Sequence, residues 1–382
     1  MVSIFAPHFI NWTEQLRESG HEVYWLDVFD SNTKVKKIDF VHQIIGWRYK
    51  LDYPGRYFIK NNIPRLNKLI NKVNERRLPE FFEKTLQEIK PDVVQSFVLQ
   101  SAANPILEIM KKHPEIKWVF SAWGNDLYFR QKNGIDLINI QNTLPYFDYM
   151  FADCTRDQGI AIKNGFKGKY LGTFPTGGGY DLEMYNQEVE IFEFRKLILI
   201  KGYQGNLGRC NNILKAIFSL QPNLSEYRIV VFGANEQVVN FCKSSNLDNS
   251  DNFELLKQIT HSEVLKLMGK ALIYIGNSVS DGMPNTLLEA IIMGAYPIQS
   301  NPGKATEEII ISGKNGLLIE NPEDVNEIRN LILVAINDKD NLKKGIEYNF
   351  KYIKPRLERE TVKIQVIEKY KLIEEQLLDH SK

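Results

Sequence analysis

The chain has 382 residues, more than one hydrophobic core usually serves, and this length predicts two domains of ordinary size. Hydrophobic residues make up 43% and charged residues 25% of the sequence, which excludes general disorder and a membrane-embedded body. The formal net charge of +1 gives no support to a nucleic-acid partner, and three widely separated cysteines argue against a disulfide framework or a zinc site. There is no basic leader and no apolar run near the roughly 20 residues that span a bilayer, so we expect a cytoplasmic protein.

Short apolar runs bounded by turn residues recur along the first half of the chain, and each is typical of a buried strand. Between them, stretches such as 104–113 and 156–164 repeat apolar residues every three or four positions, which predicts helices. This alternation predicts a parallel sheet covered by helices. The strands are expected at Val2–Ala6, His21–Val28, Asp92–Val98, Lys117–Ala122 and Asp148–Ala152.

The same rhythm begins again after a turn-rich loop at 175–181. The sequence therefore predicts an α/β protein of two doubly wound domains, residues 1–180 and 181–356, with a last helix at about 357–380 packing back on the first domain. A polar stretch at 244–252 is expected to be a loop. The strands of the second domain are expected at Leu197–Ile200, Arg228–Phe232, Ala271–Ile275, Ala295–Gln299 and Gly316–Ile319.

The loop predicted at 7–12 follows the first strand and carries His8 and Asn11. Ligands of doubly wound sheets bind outside the carboxyl ends of the strands, so both residues are candidates for binding a ligand. The loop lacks the GxGxxG fingerprint of dinucleotide-binding domains, which makes a nicotinamide-dependent dehydrogenase unlikely to fit this sequence.

A second polar turn follows the strand at 117–122 and contains Trp123, Asn125 and Asp126. Its position at the ligand-binding edge makes all three candidates for binding a ligand. Two structural alternatives stay open, because Trp123 could serve packing alone and Asp126 could be the N-cap of a helix.

Residues 47–77 form a basic segment with interleaved aromatic residues. This composition suits the headgroup region of an anionic membrane. A solvated basic helix is the alternative. The segment carries Arg48, Lys50, Arg56, Lys60, Arg65, Lys68, Lys72, Arg76 and Arg77 together with Trp47, Tyr49, Tyr53, Tyr57 and Phe58.

The most informative segment of the second domain is SVSDGMPNTLLEAIIMGAYPI at 278–298. Pro284 precedes a predicted helix, Thr286 is well placed as its N-cap, and Gly294 ends it. Unpaired amides at Asn285–Leu288 would then attract a phosphate. Thr286 and Glu289 also match a capping box, which is the structural alternative for the glutamate.

The segment resembles the retaining glycosyltransferase family 4 of the GT-B type, whose members carry two acids separated by seven residues. Asp281 and Glu289 have this spacing, and Glu308, Asn315 and Gly316 match a later family motif. The resemblance implies two Rossmann-like domains facing a central cleft. The family usually has glutamate at the position of Asp281 and often has histidine at the position of Trp123.

The resemblance also implies roles for the matched residues. Asp281 would contact hydroxyls of the transferred sugar, and Glu289 would grip the ribose of the donor. Lys201 and Arg209, in a glycine-rich loop, would neutralise the leaving diphosphate, and Asp126 would assist at the catalytic centre. The candidates for binding the acceptor are His8, Asn11, Trp123 and Asn125. The remaining donor-binding candidates are Gly178, Gly205, Gly282, Met283, Pro284, Asn285, Thr286 and Leu287.

The implied activity is transfer of a sugar from a nucleotide-diphosphate sugar to a glycan or lipid-linked acceptor in bacterial surface polysaccharide synthesis, with UDP as the first expectation and GDP as the second. No essential metal is expected, because the acidic run Asp338–Asp340 is interpreted as a solvated loop. Two alternatives remain open: a non-hydrolysing nucleotide-sugar epimerase and a non-catalytic partner subunit of the same architecture.

Overall fold

The computed structural model describes residues 1–186, 189–247 and 250–380, and the chain divides into two compact units. The first unit contains Met1–Ala152, Asp157–Gly178 and Gln365–Lys382, and the second contains Asp153–Arg156 and Gly179–Ile364. Each unit has its own parallel sheet and its own hydrophobic core. The predicted α/β class is confirmed.

The sheet of the first unit has seven parallel strands in the order β3-β2-β1-β4-β5-β6-β7. The first six positions of this order are those of a Rossmann sheet. The order in which strands are added to the sheet reverses between β1 and β4, which is the switch point. The strands are β1 (Val2–Ser3), β2 (Tyr24–Asp27), β3 (His42–Ile44), β4 (Val93–Phe97), β5 (Lys117–Ser121), β6 (Tyr149–Ala152) and β7 (Lys169–Thr173).

The sheet of the second unit has six parallel strands in the order β10-β9-β8-β11-β12-β13, again the Rossmann order. Its switch point lies between β8 and β11, which are fully buried over most of their length, as expected of a parallel sheet covered on both faces. The strands are β8 (Leu197–Lys201), β9 (Arg228–Phe232), β10 (Phe253–Leu255), β11 (Ala271–Gly276), β12 (Tyr296–Ser300) and β13 (Leu317–Ile319).

Helices connect the strands, and the first of them begins where the sequence analysis expects a loop. Residues 7–12 are the start of a helix and not a loop, because Pro7 stands at its first position, where a missing N–H costs nothing. The helices are α1 (Pro7–Glu14), α2 (Arg56–Asn62), α3 (Pro64–Asn74), α4 (Leu78–Ile89), α5 (Leu107–Met110), α6 (Gly134–Thr143), α7 (Thr155–Lys163), α8 (Leu182–Asn186), α9 (Cys210–Ser219), α10 (Glu236–Ser244), α11 (His261–Lys270), α12 (Asn285–Ile292), α13 (Val325–Asn337), α14 (Lys339–Tyr348) and α15 (Arg359–His380).

The last helix, α15, belongs to the first unit from Gln365 onward. There the hydroxyl of Tyr370 donates to Oε1 of Gln95 at 2.6 Å and accepts from the indole N–H of Trp12 at 3.0 Å. The tyrosine is buried, so this chain of hydrogen bonds satisfies polar groups that would otherwise be costly. Among the described residues, no helix combines the length and apolar character needed to cross a membrane.

The acidic run Asp338–Asp340 is another correction to the sequence analysis. It is not a solvated loop, because the carboxylate of Asp338 caps α14 by accepting from the amide of Asn341 at 3.0 Å. Asp340 lies in the first turn of the same helix, where a negative charge is favourable. A local capping role therefore explains this pair of acids.

Candidate functional site

Two loops meet at the carboxyl edge of the second sheet, at the switch point between β8 and β11. The amide of Arg209, in the loop after β8, donates to the carbonyl of Asn277 in the loop after β11 at 2.9 Å. The amide of Val279 donates back to the carbonyl of Leu207 at 2.9 Å. The two loops thus form one surface at the position where doubly wound sheets bind ligands.

The loop after β8 depends on glycine for its path. A methyl group at Gly202 would lie 2.7 Å from the carbonyl oxygen of Phe232 and 2.8 Å from the side chain of Val231, so the loop could not lie against β9 with any other residue there. Gly205 is different, since a methyl group would meet only the hydroxyl of Tyr203 at 3.4 Å. Gly202 therefore has a structural role, whereas Gly205 has room for a side chain.

Arg209, a predicted catalytic cation, holds this loop in shape. Its Nη1 donates to the carbonyls of Gly205 at 2.7 Å and Gly208 at 2.9 Å, and its Nε is ion-paired with Glu323. The hydrogen bond from Arg209 lowers the pKa of the Glu323 carboxyl. The guanidinium therefore hydrogen-bonds to the protein itself. The position of Arg209 in the sequence does not predict these contacts.

Lys201 is the second predicted cation and ends β8 at the same edge. Its side chain is half-buried, and its ammonium group makes no hydrogen bond or ion pair with any residue in the described part of the chain. Of the two cations, Lys201 is thus the one whose charge is available for an anion at the switch point.

Two buried acceptor oxygens lie at this edge as well. Oδ1 of Asn277, after β11, and Oε1 of Gln299, near the end of β12, have no hydrogen-bond partner among the described residues. Gln299 is paired in register with Gly276, the last residue of β11. Unsatisfied buried acceptors are rare in folded proteins, so these two oxygens mark positions where a donor from a ligand or water fits.

The start of α12 differs from the expected cap. The helix begins at Asn285 with Pro284 as N-cap, so Thr286 is not the N-cap, and its hydroxyl accepts from the Tyr274 hydroxyl at 3.0 Å. The amides of Leu287 and Leu288 are also not unpaired, since both donate to the carbonyl of Pro284, at 3.0 and 3.2 Å. The amides of Leu287 and Leu288 are therefore not the phosphate donors that the sequence predicts.

Asn285 is itself fixed by a neighbour. Its Oδ1 accepts from the hydroxyl of Tyr180 at 2.8 Å, and burial raises the pKa of that hydroxyl well above its ordinary value. Tyr180 is therefore a neutral donor at neutral pH. The interaction sets the direction of the first side chain of α12.

Glu289 does not form the capping box that its sequence suggests. Its Oε1 lies 2.7 Å from Nε2 of His261, the first residue of α11, while the carboxylate is nearly buried. The hydrogen bond to Glu289 raises the pKa of His261. One carboxylate oxygen is thus held by the protein, which fixes the direction of the other for a ligand.

Asp281 lies three residues before Pro284, in the loop after β11. Its Oδ1 accepts from the amide of Gly282 at 3.0 Å, and its carbonyl accepts from the guanidinium of Arg156 at 2.8 Å. Arg156 donates also to the carbonyl of Pro302 at 2.7 Å. The loop carrying Gly282 and the buried Met283 is therefore fixed from both sides.

The later family motif has a structural explanation. Asn315 is fully buried and holds a tight turn: its Oδ1 accepts from the amide of Ile311 at 2.7 Å, and its Nδ2 donates to the carbonyl of Ile309 at 3.0 Å. A methyl group at Gly316 would lie 2.8 Å from Pro297, so glycine is needed for close packing. Neither residue has an atom left for a ligand.

The first unit brings His8 and Trp123 together. Their rings meet edge to face with centroids 6.0 Å apart, and Trp123 also contacts Phe97 at the end of β4. Asn11, one turn further along α1, accepts from the ammonium of Lys37 at 2.6 Å. His8 and Trp123 therefore belong to one surface at the carboxyl edge of the first sheet.

Asp126 is a buried acceptor and not a helix N-cap. Its two carboxyl oxygens accept from the amides of Trp123 at 3.0 Å and Leu99 at 3.2 Å. Burial, followed by the charge of Asp157, raises the pKa of Asp126 to about 7. Val98, the residue before Leu99, has a φ of 68°, which is strained for a β-branched side chain. By accepting from the amide of Leu99, Asp126 helps to hold this strained backbone.

The other two predicted residues of the first unit lie in turns. The amide of Asn125 donates to the carbonyl of Trp123 at 2.9 Å. Gly178 has a φ of 70° and lies against the side chain of Gln15, so it belongs to the first unit. Its neighbour Gly179 is counted with the second unit, and the triple glycine spans the sequence boundary between the two.

Comparison with known families decides what the second unit is. The profile of the family described as "Glycosyl transferases group 1" matches residues 185–352. The second unit is therefore similar to the group 1 glycosyl transferases, and the chain is a glycosyltransferase. A search of curated protein sequences gives no match for the chain.

Solved structures show the fold of this glycosyltransferase. The alignment with sucrose-phosphate synthase from Thermosynechococcus elongatus covers 97% of this chain and 98% of the synthase chain, at 14% identity and a TM-score of 0.73. HepE of Anabaena in complex with UDP matches with the same coverage, at 12% identity and a TM-score of 0.69. The pneumococcal O-GlcNAc transferase GtfA, in complex with UDP and GlcNAc, covers 78% of this chain and 60% of its own, at 16% identity and a TM-score of 0.57. The expected GT-B fold is confirmed.

His261 and Arg156 contact residues of the candidate site but were not predicted from the sequence. Thr260 and Glu263 form a capping box that marks the start of α11, so the helix was recognisable, but the contact of His261 with Glu289 joins residues 28 positions apart. Arg156 contacts Asp281 across 125 positions. No local pattern carries either signal.

Proposed function

We propose that this glycosyltransferase transfers a sugar from a UDP-sugar to a lipid-linked or glycan acceptor of bacterial surface polysaccharide, as a family 4 enzyme. The observation that carries the proposal is the placement of Asp281 and Glu289 beside the joined loops of the switch point. The solved structures of HepE and GtfA, both in complex with UDP, favour uridine as the base.

In the proposed donor site, Glu289 accepts from the ribose hydroxyls with the oxygen that His261 leaves uncommitted. The first amides of α12 and the ammonium of Lys201 receive the diphosphate, since a helix N-terminus and a half-buried cation both favour an anion. Gly205 allows the backbone of the loop to approach the ligand. Asp281 accepts from hydroxyls of the sugar.

Transfer is proposed to proceed with retention at the anomeric carbon. The acceptor hydroxyl attacks from the face that the diphosphate leaves, and a donor phosphate oxygen takes its proton, so no protein nucleophile is needed. The charge that develops on the diphosphate is stabilised by Lys201, and a fixed donor of this kind is typically worth about 10² to 10³ in rate. No essential metal takes part in this scheme.

The acceptor is proposed to bind the first unit. His8 and Trp123 offer an imidazole and an aromatic face, Asn125 and Asn11 offer amides, and Asp126 holds the turn that carries two of them. The segment 47–77 is proposed to contact the inner face of the cytoplasmic membrane, with its cations on anionic lipids.

The experiment is a transfer assay with UDP-glucose, UDP-galactose and UDP-N-acetylglucosamine, using native protein, Asp281→Ala and Glu347→Ala. Glu347 is an exposed residue of α14 and serves as the control for losing a carboxylate. We expect one donor to release UDP in an acceptor-dependent way, with an anomeric proton in the product of the same configuration as in the donor. Asp281→Ala should abolish transfer while Glu347→Ala leaves it unchanged; equal activity of the two variants contradicts the assignment.

A further inference from the structure

Helix α3 of the first unit is amphipathic in the opposite sense to an ordinary surface helix. Leu66, Leu69 and Val73 lie on one face and are exposed, Leu69 by 61% and Val73 by 74%. A surface helix of a globular protein normally turns its apolar face to the core. Here the apolar face is directed outward.

The polar face of α3 covers a cavity. Asn67, Lys68, Asn71 and Lys72, on the side of the helix opposite Val73, line a space of about 910 Å³ within the first unit. Its floor comes from the segments after β2, β3 and β4, at the carboxyl edge of the sheet. Doubly wound sheets bind their ligands at this edge, so the cavity has the position of a ligand site.

The walls of the cavity are strongly basic. Five cationic side chains line it against one carboxylate, Glu75. Three of the cations have partners: Arg48 is ion-paired with Glu75, Arg76 donates to two backbone carbonyls, and Arg77 donates to Glu80 at 3.2 Å.

The two lysines of α3 are the remaining cations. Lys68 and Lys72 make no hydrogen bond or ion pair with any residue that the structure describes. Ser101, at the floor, has a buried hydroxyl that also lacks a partner within the described ranges. Two cations without partners and one unsatisfied hydroxyl in the lining of the same cavity suit a phosphate group, which accepts from several donors at once.

We propose that this cavity binds the phosphate or diphosphate group of a lipid-linked acceptor, with Lys68 and Lys72 as donors, while the outer face of α3 rests in the bilayer that presents the lipid. The inference rests on the proposed function and names its acceptor class. The exposed apolar face of α3 favours a lipid as the source of the phosphate over a soluble sugar phosphate. A lipid lies in a bilayer that this apolar face can enter, whereas a soluble sugar phosphate does not.

The test uses two soluble probes, geranyl diphosphate and glucose 6-phosphate, titrated calorimetrically into the full chain. The cavity variant is Lys68→Gln with Lys72→Gln. The matched control is Lys163→Gln with Lys167→Gln, which removes the same charge from exposed positions of the same unit outside the cavity. We expect native protein and control to bind geranyl diphosphate equally, and the cavity variant to bind it at least about tenfold more weakly.

A third variant, Leu69→Ser with Val73→Ser, separates the membrane face from the cavity. It should bind geranyl diphosphate as native protein does but lose sedimentation with vesicles of phosphatidylcholine and phosphatidylglycerol that carry polyprenyl phosphate. Equal binding of geranyl diphosphate by the cavity variant and native protein overturns the inference, as does an equal loss in the lysine control. Tighter binding of glucose 6-phosphate than of geranyl diphosphate overturns the lipid source.

UDP titration of the same proteins keeps this inference distinct from the proposed function. If UDP binds native protein and the cavity variant alike but geranyl diphosphate binds neither, the cavity assignment fails and the donor site stands. If geranyl diphosphate binds through the lysines and UDP does not bind, the transferase proposal fails while the anion site stands.

Discussion

Nε2 of His261, the first residue of α11, lies 2.7 Å from Oε1 of Glu289 in α12. The hydrogen bond raises the pKa of His261 above its ordinary value of 6.5, because the carboxylate favours the protonated imidazole. The folded pKa exceeds the unfolded one, so the stabilisation is full below about pH 6.5 and is lost as the pH rises through the folded pKa.

The first prediction concerns this histidine. In an NMR titration of the imidazole protons, His261 should show a lower pKa in Glu289→Gln than in native protein, because a neutral amide cannot stabilise the imidazolium. His113, on the surface of the first unit and distant in sequence, is the internal control and should not shift. An unchanged pKa of His261 would mean that the contact is absent in solution.

Asp126→Asn is expected to lower the free energy of unfolding by about 1–3 kcal/mol, since an amide side chain cannot accept from Leu99 and Trp123 together. The folded pKa of Asp126 is about 7 against 3.8 for the free side chain. Its protonation therefore adds stability that is full below about pH 3.8 and is lost as the pH rises through about 7. Urea denaturation across this window should show that slope for native protein and a weaker one for Asp126→Asn; parallel curves would argue against the raised pKa.

The two cations of the switch point should respond differently to removal of charge. Lys201→Met should lower kcat by about 10²-fold and leave Tm unchanged, because the ammonium stabilises developing charge and holds nothing in the protein. Arg209→Met should lower Tm, because it releases two carbonyls and Glu323. Thermal unfolding and steady-state kinetics on both variants decide the matter, and a normal kcat in Lys201→Met removes that residue from the catalytic scheme.

The glycines of the same loop form another matched pair. Gly202→Ala should destabilise the protein by about 1–3 kcal/mol, because its methyl group would overlap the backbone of β9. Gly205→Ala has room and should keep the native Tm while weakening UDP binding. Calorimetric unfolding and UDP titration test both substitutions; loss of Tm in Gly205→Ala would show that this glycine too is structural.

All interior strands of both sheets were predictable, and of the four edge strands only the buried β13 was. The three strands that the sequence analysis omits, β3, β7 and β10, all lie at the edge of a sheet. An edge strand is covered less completely, so residues such as His42 and Lys169 can be polar and exposed, and no continuous apolar run marks the strand. Interior strands such as β11 are buried on both faces and therefore stand out.

At the site, local patterns were informative about position and less so about partners. The spacing of Asp281 and Glu289 located the loop and helix at the switch point. The Thr-Leu-Leu-Glu signature suggested a capping box, but α12 starts at Asn285, and both side chains take partners from other elements. Such contacts depend on the folded sheet, which a local signature does not encode.

The proposed function depends above all on binding of a nucleoside diphosphate by the second unit through Glu289. Calorimetric titration of UDP, GDP and ADP, with and without magnesium, into native protein, Glu289→Ala and Glu347→Ala tests it most directly. We expect UDP to bind native protein and Glu347→Ala equally and without magnesium, and to lose its affinity in Glu289→Ala. If no nucleotide binds native protein, or if Glu289→Ala binds UDP as native protein does, the second unit has no donor site at Glu289.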